Sequence, residues 1–380
     1  MNHHGLWFLL KIILTLPSKL LYYSIQFSLK SDRKFNGDIF IRIFMREAFL
    51  MANKYSGEQI LNPLFEFCMT LFNHFTDLPK RQQKQVILEV DDINTSMFKQ
   101  SMLKHRKVIS QYEWFYQPES FNLKTDPVLL YFHGGGFAIK LVPMSLIYLN
   151  NIRKYYPKIG IVLSDYSVTD SSIQKSTYPL QVLEAFSLYD HLTQDMGCEN
   201  VILMGESAGG NITLALLLYL QKCNIKLPQR VIAISPWLNP AILINKEKEF
   251  MHENAALDNL SIQGLDLFKT LYTPIIEFSQ GCTFDPLFNL ENNFEPDEWA
   301  IIIEKCKLLI TYGDDEILQL QIGRFIEKLA DLNKIYFLKE KNAYIDKGGC
   351  HIRPILSLTT NIEKWSKQPS INRILEFLEQ

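Results

Sequence analysis

Residues 200–220 read NVILMGESAGGNITLALLLYL, and the change of character in the middle of this stretch decides the fold. VILM (201–204) has the length and composition of a buried strand. The apolar-rich run from Ala208 onward has those of a helix. Between them stands GESAG (205–209), a G-x-S-x-G pattern in the strand–turn–helix setting that gives this pattern meaning. Glycines at 205 and 209 permit a sharp turn that holds Ser207 strained and exposed over a sheet edge, at the positive end of the next helix. A glycine-rich helix start with no chemistry uses the same letters; the strand in front of it argues for the reactive reading.

A second strand, PVLLYFH (127–133), runs straight into Gly134, Gly135 and Gly136. Three consecutive glycines cost backbone entropy and supply no packing, so something must approach the bare backbone there. If a serine attacks a carbonyl, negative charge develops on the substrate oxygen, and backbone N–H donors can hold it. Gly134 and Gly135, joined by the amide of Ala208, are the expected donors, and side chains on the glycines would obstruct them. His133 belongs to this loop and is read as orienting it rather than as a base.

The base is expected late in the chain. DKGGCHIRPIL (346–356) carries His351, the candidate to take the Ser207 proton and return it to the leaving group. Of the other histidines, 3 and 4 are terminal, 74 and 105 precede the core, 191 lies in a helix and 252 in an irregular block. The acid should follow the strand CKLLITY (306–312), where Asp314, Asp315 and Glu316 are all able to fix the His351 tautomer.

Around these motifs, strands alternate with helices. A helix over 144–157, a strand over 159–168, a helix over 179–197 and a strand over 229–237 lead to a lapse of about sixty residues. The alternation resumes at 306 with a helix over 317–333, a strand KIYFLKE (334–340) and a last helix near 366–379. Such alternation gives an α/β fold with a mostly parallel sheet flanked by helices and reactive groups beyond the strands' carboxyl ends. Residues 125–380 are the expected catalytic domain, with a cap-like insertion at about 239–300. Residues 31–124 show no strong period-2 pattern and read as helical, adding to the cap.

The 380 residues are 47% apolar, carry a net charge of -2 and have no basic patch with interleaved aromatics, which excludes nucleic acid as a partner. Six cysteines stand at scattered positions without C-x-x-C spacing, so no zinc knuckle or thioredoxin-like site is indicated. Residues 1–30 are largely apolar, interrupted by Lys11, Pro17 and Lys19, and read as a membrane anchor or an interfacial helix. A buried helix or a signal peptide are the other readings. Lys30, Arg33 and Lys34 favour a cytosolic catalytic domain. The sequons at Asn94, Asn211 and Asn259 point the other way, although Asn211 lies in a stretch too apolar to be reached.

Taken together, HGGGF (133–137), Asp165-Tyr166 after the next strand, GESAGG (205–210) and SPW (235–237) resemble the α/β-hydrolases of the hormone-sensitive-lipase-like branch. In that branch the acid stands in G-x-x-D-x-L-x-D. Laid on Gly313 onward, the acid position falls on Glu316 and Leu318 matches, while Leu320 replaces the final Asp; Asp315 is the second candidate. The N-terminal layout is similar to the fungal steryl acetyl hydrolases, which implies a single-pass endoplasmic-reticulum membrane enzyme with a lumenal domain.

The resulting expectation is a serine carboxylic-ester hydrolase that deacetylates sterol acetates or similar hydrophobic esters, with no metal or organic cofactor. A lipase or acyltransferase on longer-chain lipid esters would use the same apparatus. A catalytically dead hydrolase fold serving as a binding module is the alternative of a different class.

Overall fold

The computed structural model describes residues 83–89, 107–169, 176–240, 254–273 and 285–380, together with 17, 18, 21, 25, 42, 43, 45 and 46. Strands β1 (Gln83–Glu89), β2 (Lys107–Tyr116), β3 (Val128–Phe132), β4 (Gly160–Asp165), β5 (Val201–Glu206), β6 (Arg230–Ile234), β7 (Lys307–Gly313) and β8 (Ala343–Asp346) form one sheet, ordered β1-β2-β4-β3-β5-β6-β7-β8. The pairs β1–β2 and β2–β4 are antiparallel; all the others are parallel.

The parallel strands are apolar because both of their faces are covered. Side chains alternate across the sheet, so Leu130, Phe132, Leu203 and Val231 enter one core layer, while Leu129, Tyr131, Ile202 and Ile232 enter the other. The first layer is closed by α2 (Leu180–Asp190) with its π-helical extension His191–Asp195, α3 (Ala208–Lys222), α5 (Pro296–Lys305) and α6 (Gln319–Leu332). The second is closed by α1 (Pro143–Tyr155), α8 (Ile362–Ser366) and α9 (Pro369–Leu378). Two further helices, α4 (Ile262–Tyr272) and the single turn α7 (Lys339–Asn342), lie outside this alternation. The fold is that of an α/β-hydrolase with a helical cap region.

Register brings the carboxyl ends of the central strands to one edge: Phe132 pairs with Gly205, Glu206 with Ile234, Ile234 with Thr311 and Gly313 with Asp346. The glycine loop, the Ser207 turn, SPW, the acid cluster and the His351 segment each lie at or just beyond one of these ends.

Three expectations are corrected. The helical reading of 31–124 fails in part, because β1 and β2 extend the sheet. In β2 the inward positions include Ser110, and Ile109 on the other face stays about half exposed, so polarity does not mark the alternation. Within 31–124 the described residues 42, 43, 45 and 46 are helical, and residues 47–82 lie outside the described residues. The strand expected over 334–340 is instead a turn at 334–336, in which Ile335 is 80% exposed, followed by the start of α7, and the eighth strand forms at β8.

The third correction concerns the membrane. Among the described residues no helix is long and apolar enough to cross a bilayer. The single-pass anchor, the membrane as partner and the endoplasmic-reticulum placement built on them are therefore withdrawn. Lys11, Pro17 and Lys19 divide the apolar run, and a span needs about 20 continuous apolar residues. Of residues 1–30 only Pro17, Ser18, Leu21 and Ile25 are described, as exposed helical positions; the rest lie outside the described residues. Asn211 and Asn259 are buried, at 0% and 1% exposure, and Asn94 is outside the described set.

Candidate active site

Ser207 sits between β5 and α3 at φ 56° and ψ −117°, a conformation strained for any residue with a side chain. The neighbouring strand end fixes it: the Ser207 N–H donates to the Ile234 carbonyl (2.9 Å), and the Trp237 N–H donates to the Ser207 carbonyl (3.0 Å). Glycine is required at 209 because a Cβ there would stand 2.0 Å from the Phe132 carbonyl oxygen. The first turn of α3 thus packs directly on the end of β3. Ala208 is the first residue of that helix, so its amide has no acceptor within the helix.

The glycine loop lies against this turn. A Cβ on Gly134 would come within 3.2 Å of the Ser207 Cβ, and Gly135 adopts φ 112°. One expected donor is already engaged, however: the Gly134 N–H donates to Glu206 Oε1 at 2.8 Å. Glu206 is buried and needs donors; its Oε1 also accepts from Ser145 Oγ at 3.1 Å. Burial pushes its carboxyl up to about 7 in spite of them. Gly134 therefore anchors the loop, which leaves the amides of Gly135, Gly136 and Ala208 as the candidate oxyanion donors. His133 is 2% exposed, stacks on Tyr166 at 4.3 Å and bonds the Gly134 carbonyl through Nδ1 at 2.6 Å. Burial lowers its pKa, which keeps it neutral and suits an orienting rather than a proton-shuttling group.

On the far side of β6, His351 is 1% exposed, and its Nδ1 lies 3.7 Å from Glu316 Oε2. Among the described residues neither ring nitrogen has a hydrogen-bond partner within reach. Burial raises the Glu316 carboxyl, His351 opposes the rise, and the charge of Asp258 adds to it. The neighbouring carboxylates go elsewhere. Asp315 pairs with Arg42 at 3.2 Å, so this candidate is not brought to His351, and Asp314 Oδ1 accepts the Gly348 amide. Glu316 occupies the inward position because the Asp315 N–H bonds the Gly349 carbonyl (2.9 Å), which turns the loop at that point.

Ser235, the first residue of the SPW motif, has a role that the motif alone does not indicate. It has φ 45°, donates to Glu316 Oε2 at 2.7 Å and accepts the Ile352 N–H at 3.0 Å. The signal was present as motif membership; its chemistry depends on pairing across 81 residues. Glu206 lies inside GESAGG, and its link to the glycine loop spans 72 residues.

Above the loop, the cap helix α4 lays the ring of Phe268 where a Cβ on Gly136 would be, at 2.3 Å. Phe137 stacks on Tyr272 of the same helix at 3.5 Å, and Tyr272 on Phe288 at 5.3 Å. An aromatic cluster from the cap therefore packs against Gly136 and Phe137 of the glycine loop.

The chain matches the family described as steryl acetyl hydrolase over residues 6–377. It is 35% identical to steryl acetyl hydrolase 1 of Saccharomyces cerevisiae over 388 aligned positions, covering 99% of this chain and 89% of that protein. An esterase from the bacterial hormone-sensitive lipase family superposes with a TM-score of 0.60 at 17% identity, over 91% of this chain and 98% of that one. Carboxyl esterase 2 of the mycorrhizal fungus Tuber melanosporum does so with a TM-score of 0.54 at 18% identity, over 80% and 86%. At such identities the two structures speak to the fold alone.

Proposed function

The chain belongs to the steryl acetyl hydrolase family, and from that premise we propose that it is a serine carboxylic-ester hydrolase releasing acetate from sterol acetates or similar hydrophobic esters. The observation that carries the reading is the buried His351–Glu316 pair on the same sheet edge as the strained Ser207 turn. Ser207 Oγ attacks the acyl carbonyl while His351 Nε2 takes its proton. Glu316 accepts from Nδ1–H and stabilises the imidazolium. The amides of Ala208 and the glycine loop hold the oxyanion. His351 returns the proton to the departing alcohol, and water releases the acyl group through a second tetrahedral intermediate. The aromatic cluster against Gly136 supports a short acyl group, because it closes the space into which a long chain would extend.

The test is hydrolysis, by purified protein, of a matched series from acetyl to long-chain esters of one sterol, with Ser207→Ala as control. Acetyl-selective turnover that disappears in the variant is expected. Turnover rising with acyl length would make the protein a lipase, and absence of serine-dependent turnover in folded protein would leave a binding module.

A further inference from the structure

Segment 254–258, in the cap-side connection between β6 and α4, uses its own side chains to hold the backbone of the base and of the acid turn. Asp258 is 1% exposed and accepts three amides: His351 N–H and Asn259 N–H on Oδ1 and Ile317 N–H on Oδ2, each at 2.8 Å. One carboxylate thus ties the residue after Glu316 to His351 itself. Asn254 Nδ2 adds a bond to the Glu316 carbonyl at 3.1 Å. The segment is held from behind by Arg42, 2% exposed, whose guanidinium donates to the Leu257 carbonyl (3.1 Å), Asp315 Oδ2 (3.2 Å) and the Gly348 carbonyl (2.6 Å).

We infer that Asp258, braced by Arg42, is a positioning residue that sets the His351 loop against the Glu316 turn, so that the base is aligned only when the 254–258 segment of the cap is seated. This rests on the hydrolase reading. Burying a carboxylate is costly unless it is fully bonded, and here the bonds go to the two loops whose relative position proton transfer depends on. An apolar residue would fill the same space without bridging them.

The experiment is steady-state hydrolysis of p-nitrophenyl acetate by the full chain and by Asp258→Asn, Arg42→Gln and Ser207→Ala. Asparagine keeps the size but turns an NH2 toward one of the amides. The expected result is kcat lowered about 10²-fold in Asp258→Asn, with KM within about twofold and a melting transition near that of the parent, the cost of a small misplacement. A folded Asp258→Asn with parental kcat would overturn the inference. So would a kcat loss matched by KM and melting temperature, which is the mark of general loosening. Should Asp258→Asn not fold, Arg42→Gln decides by the same split: a kcat loss at unchanged KM supports the brace, and unchanged kcat overturns it. Loss of Ser207 dependence in the parent itself would overturn the hydrolase reading, and the inference with it.

Discussion

Glu316 Oε2 faces His351 Nδ1 at 3.7 Å with both side chains buried, while Asp315, its neighbour in the chain, turns the opposite way to Arg42 at 3.2 Å. Two adjacent carboxylates therefore separate by role. Glu316→Gln is expected to lower kcat on an acetyl ester by about 10³- to 10⁴-fold, because the imidazole loses the carboxylate that fixes its tautomer and stabilises the imidazolium. Asp315→Asn breaks a buried ion pair and should cost about 3 kcal/mol of stability. Its kcat loss should be far smaller than that of Glu316→Gln. Comparable kcat losses in the two variants, measured beside their denaturation midpoints, would reverse the assignment.

Ser235→Ala removes a 2.7 Å donor to Glu316 and a 3.0 Å acceptor for the Ile352 amide. A hydrogen bond to a charged group is worth about 1.5–3 kcal/mol. Turnover is expected to fall roughly tenfold or more at nearly constant KM. Steady-state rates equal to the parent's would show that Glu316 holds its place without the hydroxyl.

Burial pushes the Glu206 carboxyl up to about 7, from 4.5 for an unhindered glutamate. The folded state favours the protonated form. The penalty is absent below about pH 4.5, grows as pH rises toward 7 and is constant above. Glutamine can still accept from Gly134 and Ser145. Glu206→Gln should therefore match the parent at pH 4.5 and exceed it by up to about 3 kcal/mol at pH 8, one pH unit being worth about 1.4 kcal/mol. Chemical denaturation at four pH values checks this; a pH-independent difference would contradict it.

Phe268 covers Gly136 from the cap. Phe268→Ala opens that space, and the rate on butyryl or hexanoyl esters should rise relative to acetyl by about tenfold, the worth of one to two methylenes in an apolar pocket. An unchanged acyl profile would locate the acyl group elsewhere.

What could be read in the chain follows from how locally each feature is encoded. The parallel strands were legible because burial on both faces leaves continuous apolar runs, as in VLLYF and VILM. The glycine loop and the Ser207 turn were legible because close backbone approach excludes side chains, as at Gly209. β1 was not, since its edge position leaves Gln83, Lys84, Gln85 and Ile87 all exposed. The acid required structure: three carboxylates stand in a row, and the one that faces His351 depends on a backbone bond to Gly349. Asp258 and Arg42 carry no local pattern at all, for their partners lie 93 and 273 residues away.

The turn that ends β6 has one more consequence. The serine and the glycine loop hang from β5 and β3, while the base and the acid hang from β8 and β7. Ile234 and Trp237 grip the first group by its backbone, and Ser235 grips the second through Glu316 and Ile352. The machinery is thus two half-sites sharing a seam four residues wide, and their alignment is inherited from a turn that supplies neither nucleophile nor base. A one-residue insertion between 234 and 237 would part them along that seam, leaving a well-made serine and a well-made histidine that no longer act on each other.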